Sequence, residues 1–471
     1  MLRRGAYSAL LRLLLPVLLL RLLWRSLREP LYRAHLGERL GWYPAERLPG
    51  GSGWVWLHAV SLGETRAAAA LVQALRRERS GLRFVFTHGT ATGREAGRVL
   101  VEEGDRQVWQ PLDTPGACRR FLAWHRPVVG VLMETEVWPN LIAEARAARV
   151  PMILANARLS ERSLAKARRM EALMREAAES LTVTLAQTEA DAQRLHACGA
   201  APVHVVGNLK FDMAPDAALL ERGRRWAEAA AASVDPAADG AVDAASAIVL
   251  AASTREGEEQ ALLQRWAALP VPRPRLLVVP RHPQRFDEVA ELIRAAGFAC
   301  SRRSTWPGEG AEAMPDAVAL SAPVWLGDSL GEMPAYYAAA GAALLGGSFE
   351  PLGGQNLIEA AACGCPVVMG PHTFNFLEAA RLAAEAGAAV RVADLAEGVE
   401  RAVVLARGDA QRQAMQAHAL AFSQAHRGAA MRMAREVLKR IDQTLYRELI
   451  DRGRAEAAAH RARRKQRSPE R

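Results

Sequence analysis

Short apolar runs alternate with alanine-rich helical stretches along this chain, twice over, and few folds accommodate that rhythm. In the first set the runs are Trp54 to Val60, Arg83 to Thr87, Gln107 to Leu112, Pro127 to Met133, Pro151 to Ala155, Leu181 to Ala186 and Val203 to Val206. They read as continuous apolar segments rather than as alternating ones, the pattern of strands covered on both faces. Strands separated by helices pair in parallel, so the pattern predicts an α/β, doubly wound sheet. A second set follows: Ala247 to Ala252, Arg275 to Val279, Ala317 to Leu320, Val324 to Leu326, Ala342 to Leu345, Pro366 to Met369 and Ala389 to Val392. Between the sets, "AAAASVDPAADGAVDAAS" lacks bulky apolar residues and reads as a connection. Two Rossmann-like domains facing a cleft are therefore expected, with ligand sites at the carboxyl ends of the strands. A chain of 471 residues suits two such domains.

The ends of the chain differ in character from this body. "AYSALLRLLLPVLLLRLL", from Ala6 to Leu23, is almost wholly apolar, interrupted by Arg12, Pro16 and Arg21, and no small-residue cleavage site follows. It reads as an uncleaved membrane anchor that either spans once or lies in the interface, its arginines reaching anionic headgroups. With 61 Lys+Arg against 51 Asp+Glu the formal charge is +10, which favours an anionic partner such as nucleic acid, phospholipid or a phosphorylated substrate. Five cysteines show neither metal-ligand spacing nor an even disulfide framework, as expected of a reducing compartment. The expected partition is 1–28 anchor, 29–225 first domain, 226–245 linker, 246–410 second domain, 411–451 helical segment and 452–471 basic disordered tail.

Chemistry-bearing residues gather at predicted strand ends. In "WVWLHAVSLGE" a strand runs through His58 into Gly63 and Glu64. "SLGE" is a capping box, Ser61 at the N-cap and Glu64 reaching back, and "TGRE", "STRE" and "NLIE" share its spacing. A carboxylate at that strand end would also face the cleft, where desolvation raises its pKa toward that of a useful base. "PVVGVLMETEVWPN" delivers Glu134 at a second strand end, while Glu136 is expected to serve the dipole of the helix that Pro139 starts. "GNLKFD" adds Lys210 at a third. In the second half, "LLGGSFEPLGGQNLIEAAA" runs a strand into a glycine loop and a helix opening near Asn356, suited to a phosphate, with Glu359 one turn in for ribose hydroxyls. "VVPRHPQRF" adds Arg281 and His282, and "LGDSLGEMPAYY" a turn of Ser329, Leu330 and Gly331.

The ordered motifs "HAVSLGE", "METEVWPNLI", "ANARLSERS", "GNLKFD", "STREGEE", "VPRHPQRF" and "MGPHTFNF" resemble those of the Kdo transferases of Gram-negative bacteria, from the N-terminal anchor to about Arg407. These are GT-B glycosyltransferases that move 3-deoxy-D-manno-octulosonic acid (Kdo) from CMP-Kdo onto a lipid A precursor. The resemblance implies an inverting, metal-independent transfer that uses no cofactor and no nucleic acid, at the cytoplasmic side of the inner membrane. By it Glu64 is the general base, and Glu134 and Lys210 support the transition state. Pro280 and Arg281, the turn Ser329, Leu330 and Gly331, and Asn356, Leu357, Ile358 and Glu359 match the CMP-Kdo segments. The loop "FEPLGGQN" departs from the family pattern, which more often has a charged residue before the glycines and His before Asn. Arg66, Arg94 and Arg98 are candidate contacts for acceptor phosphates.

Two other readings remain open from the sequence. Another GT-B transferase or epimerase using a UDP-sugar would account for the second-half nucleotide site but not for "HAVSLGE" with "METE". A non-enzymatic membrane-associated binding protein would need no base at Glu64.

Overall fold

A computed structural model describes residues 3–43, 53–168, 170–233, 247–308 and 312–466. The chain divides into two compact units, Met1–Asp212 with Arg427–Arg471, and Met213–His426. Each is built on a parallel sheet of seven strands.

In the first unit the strands are β1 Trp54–His58, β2 Arg83–His88, β3 Arg106–Trp109, β4 Pro127–Met133, β5 Met152–Ala157, β6 Val183–Ala186 and β7 Val203–Val205. Their order is β3-β2-β1-β4-β5-β6-β7, so the winding reverses between β1 and β4, the place where open α/β sheets leave a crevice at their carboxyl ends. β1, β4 and β5 are buried along their whole length. On one face Leu57, Leu71, Leu75 and Val131 pack with Met433, Val437 and Ile441; on the other Trp56, Phe121, Leu141 and Leu154 form the core.

The second unit holds β8 Ile248–Thr254, β9 Arg275–Pro280, β10 Cys300–Arg302, β11 Val324–Leu326, β12 Ala342–Leu345, β13 Val367–Met369 and β14 Ala389–Arg391. Their order is β10-β11-β9-β8-β12-β13-β14, with the reversal between β8 and β12. Val249, Leu263, Leu276, Val289, Leu344 and Val399 are among its core residues.

Four particulars differ from the sequence reading. Ala317–Ser321 is a helix, capped by Asp316 accepting from the Ala319 amide, and not a strand. The edge strand is Cys300–Arg302, whose half-exposed "CSR" lacks the apolar run that identified the others. Trp226, expected in the linker, lies in the helix Ala217–Ala232 and is fully buried, packed edge-on to Trp306 at 5.2 Å with the Arg303 guanidinium 5.1 Å from its ring. Of the expected linker, 234–245 lies outside the described residues.

The last difference concerns the C-terminal region. Asp409–Ala425 stays with the second unit, whereas Ala429–Gln466 is one helix that returns to the first, running through the segment expected to be a disordered tail. Asp212 fixes the start of that helix, its carboxylate accepting from the amides of Gly428 at 2.5 Å and Ala430 at 2.7 Å. Residues 467–471 lie outside the described residues.

Candidate active site

The first unit's site sits where its sheet winding reverses. Glu64 lies one turn into the helix Leu62–Glu78 that follows β1. Its Oε2 accepts from the Val60 amide at 2.8 Å, its Oε1 from Ser61 Oγ at 2.9 Å, and its own amide donates back to Ser61 Oγ at 3.4 Å. The capping box therefore forms, and it fixes both carboxylate oxygens. The other three segments of that spacing do not form one. Thr90 caps the helix Ala91–Gly97, Glu95 pairs with Arg98 on the surface, Gly257 precedes the helix Glu258–Ala267, and Asn356 makes no side-chain cap bond among the described residues.

Burial raises the pKa of Glu64, and the nearby Glu134 carboxylate adds to the rise. The Val60 and Ser61 hydrogen bonds, with the Lys210 ammonium, oppose it. The net effect is a carboxylate more basic than one in water.

Glu134 stands at the end of β4 in the left-handed backbone region, φ 56°, its amide still donating to Ala155 O at 2.9 Å. That kink ends the strand and turns the side chain out of the ladder. Its Oε1 lies 3.7 Å from Lys210 Nζ, both side chains being largely shielded. Lys210 is placed through Asn156, a fully buried residue with φ 53° on β5 whose Oδ1 accepts from the Leu209 amide at 3.0 Å. So Glu64, Glu134 and Lys210, predicted from three separate segments, meet electrostatically at one place.

Glu136 does not serve the following helix. The amides of Asn140 and Leu141, at the start of Pro139–Ala147, are taken by Asp113 at 3.2 and 2.8 Å. Freed from capping, Glu136 accepts from the Trp138 indole at 2.9 Å, and burial with the charge of Glu64 pushes its pKa up to about 7. Sequence reasoning missed this third acid because the Glu-x-x-Pro spacing favoured the helix-dipole reading. It missed Asp113, in "PLDTP", and Asn156, in "ANARLS", because their roles are set by long-range partners.

His58 is fully buried with Nδ1 2.8 Å from Thr87 Oγ1, and burial lowers its imidazole to about 3; it is a neutral packing group. Among the three arginines proposed for acceptor phosphates, Arg94 is 8% exposed, bonded to Glu38 at 2.9 Å and 4.7 Å from the Trp109 ring. It holds Leu36–Arg39 onto β3. Arg66 and Arg98 are exposed, Arg98 pairing with Glu95 at 2.8 Å.

In the second unit the predicted donor residues come to the carboxyl ends of β9, β11 and β12, close about β8. Pro280 ends β9 and is buried; Arg281 is exposed, its amide donating to Thr254 O at 2.9 Å. Ser329 is hydrogen-bonded to Glu332 and to Tyr336 OH, Leu330 is 76% exposed, and Gly331 turns the chain with φ 83°. Leu357 and Ile358 are core residues, so only their backbone is available to a ligand. Asn356 and Glu359 are half-buried at the start of the short helix Leu357–Ala362.

The loop between β12 and that helix is shaped by close approach. A Cβ on Gly346 would lie 2.3 Å from Ser253 O, so only glycine fits there. Glu258, not singled out from the sequence, accepts the Gly347 amide with both oxygens at 2.8 Å and ties this loop to the one after β8. Arg285 of "PRHPQRF" is structural, forming a bidentate pair with the fully buried Glu259 at 2.6 and 3.1 Å.

Two doubly wound units, each with a topological switch point in its sheet, define the GT-B fold class. Among solved structures, a glycosyltransferase from Rickettsia africae ESF-5 has this fold at TM-score 0.55 and 11% identity, covering 84% of this chain and 99% of that one. Residues 34–213 match the family described as 3-Deoxy-D-manno-octulosonic-acid transferase (kdotransferase). A 3-deoxy-D-manno-octulosonic acid transferase from Bordetella pertussis is 46% identical over 91% of this chain and 97% of its own length. One from Haemophilus influenzae is 33% identical over 85% and 90%. The chain belongs to the 3-deoxy-D-manno-octulosonic acid transferase family.

Proposed function

We propose that the protein transfers Kdo from CMP-Kdo to a sugar hydroxyl of a lipid A precursor, at the cytoplasmic face of the inner membrane. The observation that carries the reading is Glu64: a partly buried carboxylate at a switch point, both oxygens oriented by its own helix cap, with Glu134 and Lys210 beside it. Glu64 takes the proton of the acceptor hydroxyl as that oxygen bonds to the anomeric carbon of Kdo. The bond from that carbon to the CMP phosphate oxygen breaks, and its electron pair leaves with CMP. A phosphate monoester is a good leaving group and needs no acid of its own, whereas the alcohol needs a base.

Lys210 supplies positive charge next to the reacting groups, and its pairing with Glu134 keeps the ammonium aimed. In the second unit Arg281, the Ser329 to Gly331 turn and the Asn356 to Glu359 helix start contribute to CMP-Kdo binding, Leu357 and Ile358 through backbone. Of the three candidate arginines for acceptor phosphates, Arg66 and Arg98 are exposed, Arg98 within its ion pair to Glu95. The N-terminal helix, of mean hydropathy 1.8 and long enough to cross a membrane, brings the enzyme to its lipid substrate.

The test is transfer from freshly generated CMP-Kdo to a tetra-acylated lipid A precursor, with products analysed by mass, for the parent and Glu64→Gln. Product from the parent alone, with the variant folded and still binding CMP, supports the reading. Equal product from both removes Glu64 as the base, and no product from either directs the search to uridine-linked donors.

A further inference from the structure

The helix Arg4–Arg25 is apolar enough to cross a bilayer, but its two ends are both fastened to the first unit. At its start Tyr7 OH donates to Asp113 Oδ2 at 2.9 Å, the buried Ser8 Oγ donates to Asn140 Oδ1 at 2.8 Å, and Arg4 pairs with Glu176 at 3.2 Å. At its far end Ser26 is buried, and Leu22 and Leu31 pack against a small cluster of Tyr32, Ala91 and Trp109. There the Tyr32 ring stacks on Trp109 with centroids 5.7 Å apart. The 22 residues between these ends rise about 33 Å, close to the roughly 30 Å of a hydrocarbon core. A helix that crossed would have to place one of the two fastenings on the far side of the membrane from Asp113, Asn140 and Trp109.

Between the fastenings, Leu10, Leu13, Val17, Leu20, Trp24 and Leu27 are 46%, 76%, 59%, 65%, 67% and 79% exposed. Arg12, Arg21 and Arg28 are exposed along the same stretch, while Arg25 pairs with Glu29 at 3.3 Å and lies over the Tyr32 ring. An uncovered apolar face beside solvent-facing guanidinium groups is complementary to a bilayer surface bearing anionic headgroups.

We propose that this helix lies flat in the surface of an anionic leaflet, with both ends on the side of the catalytic units, and does not span the bilayer. The proposal rests on the membrane reading above and adds an orientation to it. Asp113 and Asn140, which hold the helix start, also form the N-terminus of Pro139–Ala147, immediately after Glu136 and Trp138. The membrane-facing helix is thereby fixed to the same segment that supplies the acidic groups, so an acceptor whose acyl chains remain in the leaflet presents its sugar beside Glu64.

Two measurements on the full-length protein test this. The first is flotation with vesicles of phosphatidylethanolamine and phosphatidylglycerol. Binding that falls about tenfold or more for each of Leu13→Glu and Leu20→Glu supports contact through the exposed stripe; no binding by the parent overturns the membrane reading itself.

The second uses Gly5→Cys, at an exposed position where a Cβ meets no atom within 4 Å among the described residues. A membrane-impermeant maleimide is applied to right-side-out and inside-out membrane vesicles. The proposal expects the added thiol to react only in inside-out vesicles, on the side where a protease also reaches the catalytic units. Reaction only in right-side-out vesicles means a spanning helix and overturns the flat orientation while leaving membrane binding intact. Reaction in neither overturns it as well, because the fastened start is exposed to water.

Discussion

Glu64→Gln is the substitution in which structure and chemistry make separable predictions. The amide keeps one oxygen to accept the Val60 amide, now at 2.8 Å, and its NH2 group replaces the acceptor that faces Ser61 Oγ at 2.9 Å. The Ser61 hydroxyl then rotates to accept, and the cap persists with two neutral hydrogen bonds. The expected stability loss is within about 1 kcal/mol, or roughly 2–4 °C in Tm for units of this size. Activity responds quite differently, because an amide takes no proton. Removal of a positioned general base lowers the rate about 10²- to 10⁴-fold, equivalent to roughly 2.7–5.4 kcal/mol of transition-state stabilisation. The assay is initial-rate Kdo transfer under saturating donor, with CMP affinity and the thermal transition measured on the same preparation. A variant that melts near the parent, binds CMP equally and retains more than a tenth of the rate would refute the reasoning. Ser61→Ala supplies the internal control. It removes one of the bonds that lower the Glu64 pKa, so the carboxylate stays protonated to higher pH and the acid limb of the rate profile moves upward. The lost cap bond costs about 1 kcal/mol.

Glu136 gives a stability prediction with a definite sign. Its folded carboxyl is pushed up from 4.5 to about 7, so ionising it costs the folded state progressively across that window. The gap caps the effect near 3 kcal/mol, and partial exposure reduces it to about 1–2 kcal/mol. Glu136→Gln is therefore expected to melt progressively higher relative to the parent as pH rises from 4.5 to 8, in parallel thermal scans; a constant difference contradicts the assignment. Lys210→Met removes the ammonium 3.7 Å from Glu134 and the charge that lowers the Glu64 pKa. The acid limb of the transfer rate should move to higher pH and the maximal rate should fall at least tenfold, an unchanged profile counting against the site. Arg94→Met breaks a shielded pair with Glu38, so a loss of about 3 kcal/mol in denaturant unfolding is expected, with Arg66→Ala remaining within about 0.5 kcal/mol of the parent.

The segments that carry this fold are legible because each announces itself locally. A strand covered on both faces must be apolar throughout, so β1, β4 and β8 are recognisable without knowledge of their neighbours. "SLGE" fixes Glu64 by a hydrogen-bonded turn contained within five residues, and the structure forms that turn. Cys300–Arg302 carries no such signal, because a short edge strand is defined by its partner β11 and not by its own composition.

What required tertiary structure is everything decided by partners far along the chain. Asp113 caps the helix from 27 residues before Asn140, and so turns Glu136 from an apparent helix-dipole residue into a third acid near Glu64. Arg94 has the sequence of a surface arginine until Glu38 and Trp109 close over it. The C-terminal helix joins the first unit through Asp212, 218 residues before Ala430, and the N-terminal helix is held at both ends by residues no local pattern connects to it. Sequence determined which elements could form and which chemical groups lay at strand ends, because hydrophobic period and capping act over one or two turns. Packing decided which of those groups are shielded, paired or left to react, because desolvation and Coulomb interactions depend on distance in space and not on distance along the chain.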